Sequence, residues 1–283
     1  MIDRNAIGIV GAGKVGTSLG AYLAAKGLPV SGFYDVDPTQ ALTAAEQTAT
    51  RSYASLKALI ADTDVVLLTV PDDLIEAVWE QCRRFPISGK TFLHCSGALS
   101  SSVFRGSEEA GVNVGSAHPL CAVSSRMSED VFFGKFFVLE GDETGIELLK
   151  SWMMKTANPY KIIVSADKAR YHAAAVMSSN LFCALQQMGE DALSQCGFEK
   201  EEAHRLLSPL MLSNVEAIAE RGCVEAMTGP VERGDAGTVA SHLAVLEGAE
   251  RETYRLLSLR LLEMAQQKHP DRDYNNLLKV LKR

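Results

Sequence analysis

A chain of 283 residues, 47% of them hydrophobic, has ample material for a core and exceeds the usual size of one domain, so two domains are expected. The net charge of −7, with no Lys/Arg run, excludes a nucleic-acid-binding surface. The six cysteines, Cys82, Cys95, Cys121, Cys183, Cys196 and Cys223, form no C-x-x-C pair, which leaves a zinc site without support and points to scattered buried thiols in a reducing cytoplasm.

The first residues, Met1-Ile2-Asp3-Arg4-Asn5, carry no secretory-signal pattern and lead directly into an apolar run, Ala6 to Val10. Gly11-Ala12-Gly13-Lys14-Val15-Gly16 follows, and a helical pattern runs from Thr17 to Lys26. Strand, glycine turn and helix in that order predict a phosphate cradle. Gly11 permits the tight turn, Gly13 admits a pyrophosphate to the backbone, and Gly16 brings the helix close to the strand. The free N–H groups at the start of the helix then face the phosphates. A second strand, Pro29 to Tyr34, runs to Asp35, nineteen residues after Gly16, where a carboxylate can accept from a ribose 2′-hydroxyl. Dinucleotide binding through this turn and Asp35 is therefore expected; the competing reading is a glycine-rich turn that binds nothing.

Asp37-Pro38 opens a helix to about Gln47, and residues 53–60 form a short one. Asp64 to Val70 reads as a strand covered on both faces. Pro71-Asp72-Asp73 ends it and starts a helix to about Arg84. Thr91 to Cys95 is the next strand, followed by Ser96-Gly97-Ala98 and a helix from a Ser100 cap to about Ala110. Val112 to Ala117 is a strand ending at His118-Pro119-Leu120, and β-like runs at Phe136–Leu139 and Lys161–Val164 flank a helix at 144–155. The alternation predicts a doubly wound, mostly parallel α/β sheet. From about 165 only helical patterns remain, at 167–195, 199–220, 236–267 and 273–282, broken at Gly197, at Thr228 to Gly234 and at His269-Pro270. Residues 1–165 are thus expected to form a dinucleotide-binding domain and 166–283 a helical domain. Tyr171 to Gly189 reads as a buried helix, its polar residues arguing against a membrane span.

Ligands of open α/β sheets bind outside the carboxyl ends of the strands. That rule selects Val70-Pro71-Asp72, Cys95-Ser96-Gly97 and Ala117-His118-Pro119. His118 is either a general acid or base or a loop hydrogen-bonding residue. Ser96 either binds a substrate carboxylate or carbonyl or satisfies its own turn. His94, one residue inside its strand, reads as structural. On one continuous helix His172 and Ser179 share a face, and Asn180 lies about 12 Å from His172 along the axis. One of this pair then serves the reacting oxygen and the other the nicotinamide amide or the far end of the substrate, unless they only join helices. Arg233, on the glycine- and proline-rich loop, offers a planar fork to a carboxylate, or else pairs with Asp235. His204, His242 and His269 read as surface or packing residues.

These residues resemble the family of Rossmann-like proteins with a C-terminal helical domain of unknown function. The resemblance rests on Gly11-x-Gly13-x-x-Gly16, Val70-Pro71-Asp72, His94-Cys95-Ser96-Gly97, His118-Pro119-Leu120, His172-Ala173-Ala174-Ala175 with Ser179-Asn180, and Thr228-Gly229-Pro230 with Arg233-Gly234-Asp235. The family is similar to the group of 6-phosphogluconate, 3-hydroxyisobutyrate and prephenate dehydrogenases, ketopantoate reductases and pyrroline-5-carboxylate reductases. The resemblance implies an NAD(P)H-dependent oxidoreductase acting on a small oxo or hydroxy acid, with ketopantoate the first candidate. Its catalytic residues would be His172, His118, Asn180 and Ser96. Ser179, Arg233 and Gly97 would meet the substrate, and the cofactor would meet residues 11–16, Asp35, Val70, Pro71 and Asp72. His172 stands where the wider group often carries Lys, whereas His118 with Ser96 is more like prephenate dehydrogenases, so two proton donors are open. Asp35 would repel a 2′-phosphate and favours NAD, while the ketopantoate analogy favours NADP. The alternatives are a prephenate-like or 3-hydroxy acid dehydrogenase and a non-catalytic redox sensor. No metal, nucleic acid or membrane partner is expected, and a homodimer through the C-terminal helices is.

Overall fold

The computed structural model describes residues 5–124 and 129–283. Its sheet has eight strands: β1 (Ile7–Val10), β2 (Val30–Tyr34), β3 (Arg51–Ser52), β4 (Val65–Leu68), β5 (Thr91–His94), β6 (Asn113–Pro119), β7 (Phe137–Gly141) and β8 (Tyr160–Ile162). Their order is β3-β2-β1-β4-β5-β6-β7-β8, and every neighbouring pair is parallel except β6 with β7. Strands β1 and β4 are buried along their whole length on both faces, as their unbroken apolar sequences require. One face packs Ile7, Ile9, Leu67, Leu93 and Leu139, and the other packs Val66, Leu68, Phe92 and Trp79. This is the Rossmann-type, doubly wound α/β arrangement.

The connecting helices are α1 (Lys14–Ala25), α2 (Pro38–Thr48), α3 (Leu56–Asp62), α4 (Asp72–Cys82), α5 (Ser107–Ala110) and α6 (Glu143–Thr156). Side-chain caps start three of them. Asp37 accepts from Thr39 N, Ser55 from Ala58 N, and Asp142 from Gly145 N. The helix expected from Ser100 to Ala110 is instead a 3₁₀ turn at Ser101–Val103 and the short α5, because Gly106 turns the chain at φ +71° between them. The edge strand β3 has only two residues and no apolar pattern, so it escaped the sequence reading.

The remaining helices are α7 (Lys168–Met177), α8 (Asn180–Gln195), α9 (Lys200–Arg221), α10 (Cys223–Ala226), α11 (Pro230–Arg233), α12 (Ala236–Val245), α13 (Gly248–Lys268) and α14 (Asn275–Leu281). No strand lies beyond β8 among the described residues. The chain separates into compact units at Met1–Ser178 and Ser179–Arg283. The division therefore falls after α7 and not at 165. Lys168, at the start of α7, is buried and bonds Ser96 and Ser116 of the sheet unit, which fixes that helix to the first unit.

The single helix expected over 167–195 is two helices. The Ser178 N–H closes α7 on Ala174 and Ala175, Ser179 leaves helical geometry at φ −134° and ψ −83°, and its hydroxyl donates to Asn180 Oδ1. Serines that bond locally compete with helix continuation. The helix expected over 236–267 likewise divides at Leu246-Glu247 into α12 and α13. The second unit builds its core from α10 to α14, around Val239, Leu262, Ala265 and Leu277. Its stretch through α8 is not the buried helix expected: Leu181 is 52% and Leu185 43% exposed, and the thiols of Cys183, Cys196 and Cys223 are exposed where burial was expected. No helix among the described residues is long and apolar enough to cross a membrane.

Candidate functional site

Parallel register brings the strand ends level. Val10 pairs with Leu68, Leu68 with His94, and His94 with Ser116. The loops after β1, β4 and β5 therefore leave one edge of the sheet together.

At the first loop, Gly11 takes φ +101° and Gly13 precedes α1. A Cβ at Gly16 would lie 2.0 Å from the Gly11 carbonyl oxygen and 2.4 Å from Thr69 Oγ1, so only glycine lets the helix close on the turn. A Cβ at Gly13 would meet nothing within 4 Å. The turn thus has a tightly packed side and an open side, with the first-turn N–H groups of α1 lacking helical acceptors at that end. That shape fits a pyrophosphate. Asp35 accepts from Ala12 N at 2.7 Å and from Asp37 N at 3.0 Å, one bond per carboxylate oxygen. Each oxygen keeps a lone pair, so the carboxylate both braces the turn and can still take a ribose hydroxyl.

At the second and third loops, Asp72 accepts from Ser96 Oγ at 2.7 Å. The same hydroxyl accepts from Ala98 N and Leu99 N. Ser96 is 5% exposed and its hydroxyl is fully engaged, which is the turn-satisfying arrangement weighed above. His94 is buried against Phe104 and accepts from Ser96 N. Its Nε2 is buried without a hydrogen-bond partner.

Strand β6 continues two residues past Ala117 because β7 pairs with it to Pro119. His118 therefore stands in the strand, half-buried, with Nδ1 2.6 Å from the Tyr171 hydroxyl. Burial pushes that hydroxyl up to about 12. It stays protonated and is able to donate to Nδ1, in which case the proton of a neutral His118 sits on Nε2. The His118 ring lies edge-on to Tyr171 and to His172, with centroids 5.7 and 6.0 Å away. Gly97 lies between the two imidazoles: a Cβ there would be 2.6 Å from His172 Cδ2 and 2.9 Å from His118 Nε2. Burial, then the positive charge of Lys168 and then His172, hold His118 down to about 4. His118 is accordingly neutral near pH 7.

The structure thus gathers Asp72, Ser96, Gly97, His118 and His172 at one end of the sheet. Ser179, Asn180 and Arg233 belong to the second unit, so the shared helix face inferred for His172 and Ser179 does not exist. Arg233 is exposed and makes no ion pair among the described residues. Asp235, the partner weighed for it, caps α12 on Thr238, and those bonds first and then the charge of Arg233 hold its carboxyl below the ordinary value. The loop carrying Arg233 is stapled: the Glu232 carbonyl accepts from Arg272 and Tyr274, and its carboxylate contacts His269 and Arg272. His204 and His242 bond Glu190 and Tyr254.

Three residues of the first unit were missed as parts of this site: Tyr171, Lys168 and Glu140. Tyr171 neighbours His172 in sequence and could have been included. Lys168 lies one helical turn before His172, on the same face, a spacing the sequence does display. Glu140 ends an otherwise apolar run, Phe137-Val138-Leu139.

Known proteins share this fold. A Rossmann-like domain model matches residues 2–119, and a model described as a domain of unknown function, DUF2520, matches 135–261. No curated protein matches. Among solved structures, protein TM1727 of Thermotoga maritima is 25% identical, over 93% of this chain and 99% of its own, with a TM-score of 0.76. A candidate NADP oxidoreductase of Bacteroides fragilis is 21% identical over 93% of this chain and all (100%) of its own, with a TM-score of 0.68. A reductive aminase of Aspergillus terreus, solved with NADPH and ethyl levulinate, is 16% identical over 98% and 99%, with a TM-score of 0.63.

The buried histidines set a pH dependence. His94 and His118 are both held to about 4, His94 chiefly by burial, against the ordinary 6.5. Between those values the unfolded chain binds more protons, so stability is complete above about pH 6.5 and falls as pH drops towards 4. At ~1.36 kcal/mol per unit, His94 alone accounts for about 3 kcal/mol. Urea midpoints measured from about pH 7 down to about pH 4.5 should fall steadily, and His94→Gln should flatten the slope; a flat profile for the unsubstituted protein would refute the assignment.

Proposed function

We propose that the protein is an NAD(P)H-dependent oxidoreductase that reduces the C=O or C=N group of a small oxo or imino compound. One observation carries the reading: the open glycine turn and the His118–Tyr171–His172 cluster lie at the same edge of one parallel sheet. A bound dihydronicotinamide supplies the hydride. The turn from Gly11 to Gly16 would hold its pyrophosphate, Asp35 its adenosine ribose, and Val70 with Pro71 the chain between. Asp72 accepts from Ser96 through one oxygen, so it fixes that turn and keeps capacity for the cofactor.

His118 and His172 take different parts in this reading. A neutral His118 with its proton on Nε2 donates a hydrogen bond to the substrate oxygen or nitrogen as negative charge develops there. Tyr171 holds that tautomer. His172, the other imidazole of the cluster, delivers the proton. The substrate class within this reading is a 2-oxo acid, ketopantoate first; Arg233, Ser179 and Asn180 remain the second unit's candidate substrate-binding residues. The exposed guanidinium on a stapled loop supports that role. Asp35 supports NADH, and the NADPH-bound Aspergillus structure supports NADPH. The exposed leucines of α8 and α9 support a homodimer, and six free thiols a cytoplasmic one.

Purified protein with NADH or NADPH and a panel of small oxo and imino acids, ketopantoate included, should oxidise one nucleotide in a substrate-dependent way. Silence across the panel with nucleotide bound would remove the substrate class and leave the sensor reading. His172→Ala should lower kcat by about 100-fold or more with nucleotide affinity kept, and an unchanged kcat would remove it from the chemistry. Gly13→Ala fills open space only, so it should leave the melting temperature within a degree or two while weakening nucleotide binding about tenfold or more; full retention of affinity would place the pyrophosphate elsewhere.

A further inference from the structure

Beneath the histidines lies a buried charge system that the proposed chemistry does not use. His94, Ser116 and Glu140 are direct neighbours across β5, β6 and β7, so the sheet lays them in one row. All three are essentially inaccessible, at 0%, 0% and 1% exposure. Glu140 accepts four hydrogen bonds: from Ser101 N at 2.8 Å, Ser101 Oγ at 2.7 Å, Ser165 Oγ at 2.6 Å and Ser116 Oγ at 3.1 Å. Burial pushes this carboxyl up, and the bonds from Ser165, Ser101 and Ser116 together outweigh it, so it remains an anion. Lys168, 1% exposed, donates to the same Ser116 hydroxyl at 3.1 Å and to the Ser96 carbonyl at 2.8 Å. A proton-donor chain therefore runs from Lys168 through Ser116 to Glu140.

We propose that Lys168 is a positioning residue: anchored through Ser116 on Glu140, its ammonium holds the Ser96 carbonyl and so fixes the turn that seats the His118 and His172 rings. Every polar group of Ser96 is then held from a different element. His94 of β5 takes its N–H, Asp72 of α4 takes its hydroxyl proton, and Lys168 of α7 binds its carbonyl. Gly97, the next residue, has no side chain with which to hold its own place between the two imidazoles. A lysine suits this task better than a neutral donor because a charge-assisted bond to a carbonyl is roughly twice as strong. The same ammonium acts on His118 through space. The groups facing that ring are Lys168, Tyr171 and His172 from α7 and Asp72 from α4; burial, then Lys168 and the neighbouring His172, lower its affinity for a proton, and Asp72 opposes them.

The effect on turnover rests on the reductase reading, but two readouts do not. In Lys168→Met, NMR titration of His118 should move up from about 4 towards the ordinary 6.5, and the Ser96, Ala98 and Leu99 amides should exchange faster with solvent. With a substrate in hand, kcat should fall about 100-fold with the nucleotide Kd unchanged. Should Lys168→Met fail to fold, Ser116→Ala cuts the link to Glu140 while keeping both charges, and those amides should again exchange faster. An unmoved His118 titration with unchanged exchange in Lys168→Met, or unchanged exchange in Ser116→Ala, would overturn the proposal. A silent substrate panel would count against the reductase reading alone and leave these two readouts to decide.

Discussion

The level pairing of β1, β4, β5 and β6 is the constraint on which the rest depends. Val10, Leu68, His94 and Ser116 stand side by side, and a slip of one residue in any pair would turn a row of core side chains to the opposite face. Both faces are filled, by the Leu67–Leu93–Leu139 cluster on one side and the Trp79–Phe92–Phe104 cluster on the other, so the register has no low-cost alternative. Because it is fixed, a glycine turn after β1 and a serine turn after β5 emerge at the same edge. The antiparallel β7 adds a second consequence. By pairing to Pro119 it carries β6 past the end of β5, and His118 reaches Tyr171 from a strand and not from a loop.

Charge at that edge is arranged to be costly to lose. An isolated buried ammonium or carboxylate would be expelled or neutralised. Here Lys168 and Glu140 are joined through the Ser116 hydroxyl, and the carboxylate has its remaining capacity met by Ser101 and Ser165. Removing one partner of such a system typically costs about 3–5 kcal/mol, because the other stays buried without compensation. The arrangement also gives the strand ends a positive charge that does not rely on a titrating histidine. In a reduction that builds negative charge on a carbonyl oxygen, a fixed cation nearby and a neutral hydrogen-bond donor facing the substrate do separate work: the first sets the potential, the second supplies direction.

Much of the first unit could be read from the chain because its signals are local. The glycine turn and the cap Asp37 act within a few residues of where they stand, and the acid ending β2 was legible by its spacing from the turn, although it bonds Ala12, 23 residues away. The parts that could not be read depend on distant partners. Lys168 looks like an ordinary helix-start lysine until it meets Ser96, 72 residues earlier. That contact also moves the division of the chain past α7. Glu140 resembles a polar strand end, yet four donor groups on three serines make it the centre of a network. Ser178-Ser179 was the opposite case. The break is local, but alanines before it and leucines after it continue a helical pattern that outweighs two serines in any reading by periodicity. Arg233 was legible as a cation on a rigid loop, whereas its lack of an ion pair follows from Asp235 capping α12, which sequence spacing alone does not decide.

The second unit poses a different physical problem. Its core draws on α10 to α14, while the 22-residue α9 buries only Ala203 and the 16-residue α8 only Glu190. Helical propensity contributes little at these lengths without an apolar face packed against something, and α9 also carries Pro209 in its interior. Leu206, Leu210, Val215 and Ile218 nonetheless stand 42–60% exposed beside Leu181 and Leu185. Two helices that pack on each other and leave both outer faces apolar have half of the partners that their sequences call for. In the proposed homodimer a second copy would supply the other half with the same residues, since a two-fold interface needs only a surface complementary to itself. The exposed leucines are thus better understood as an unfinished core than as a surface, and the proposed homodimer is the arrangement that completes it.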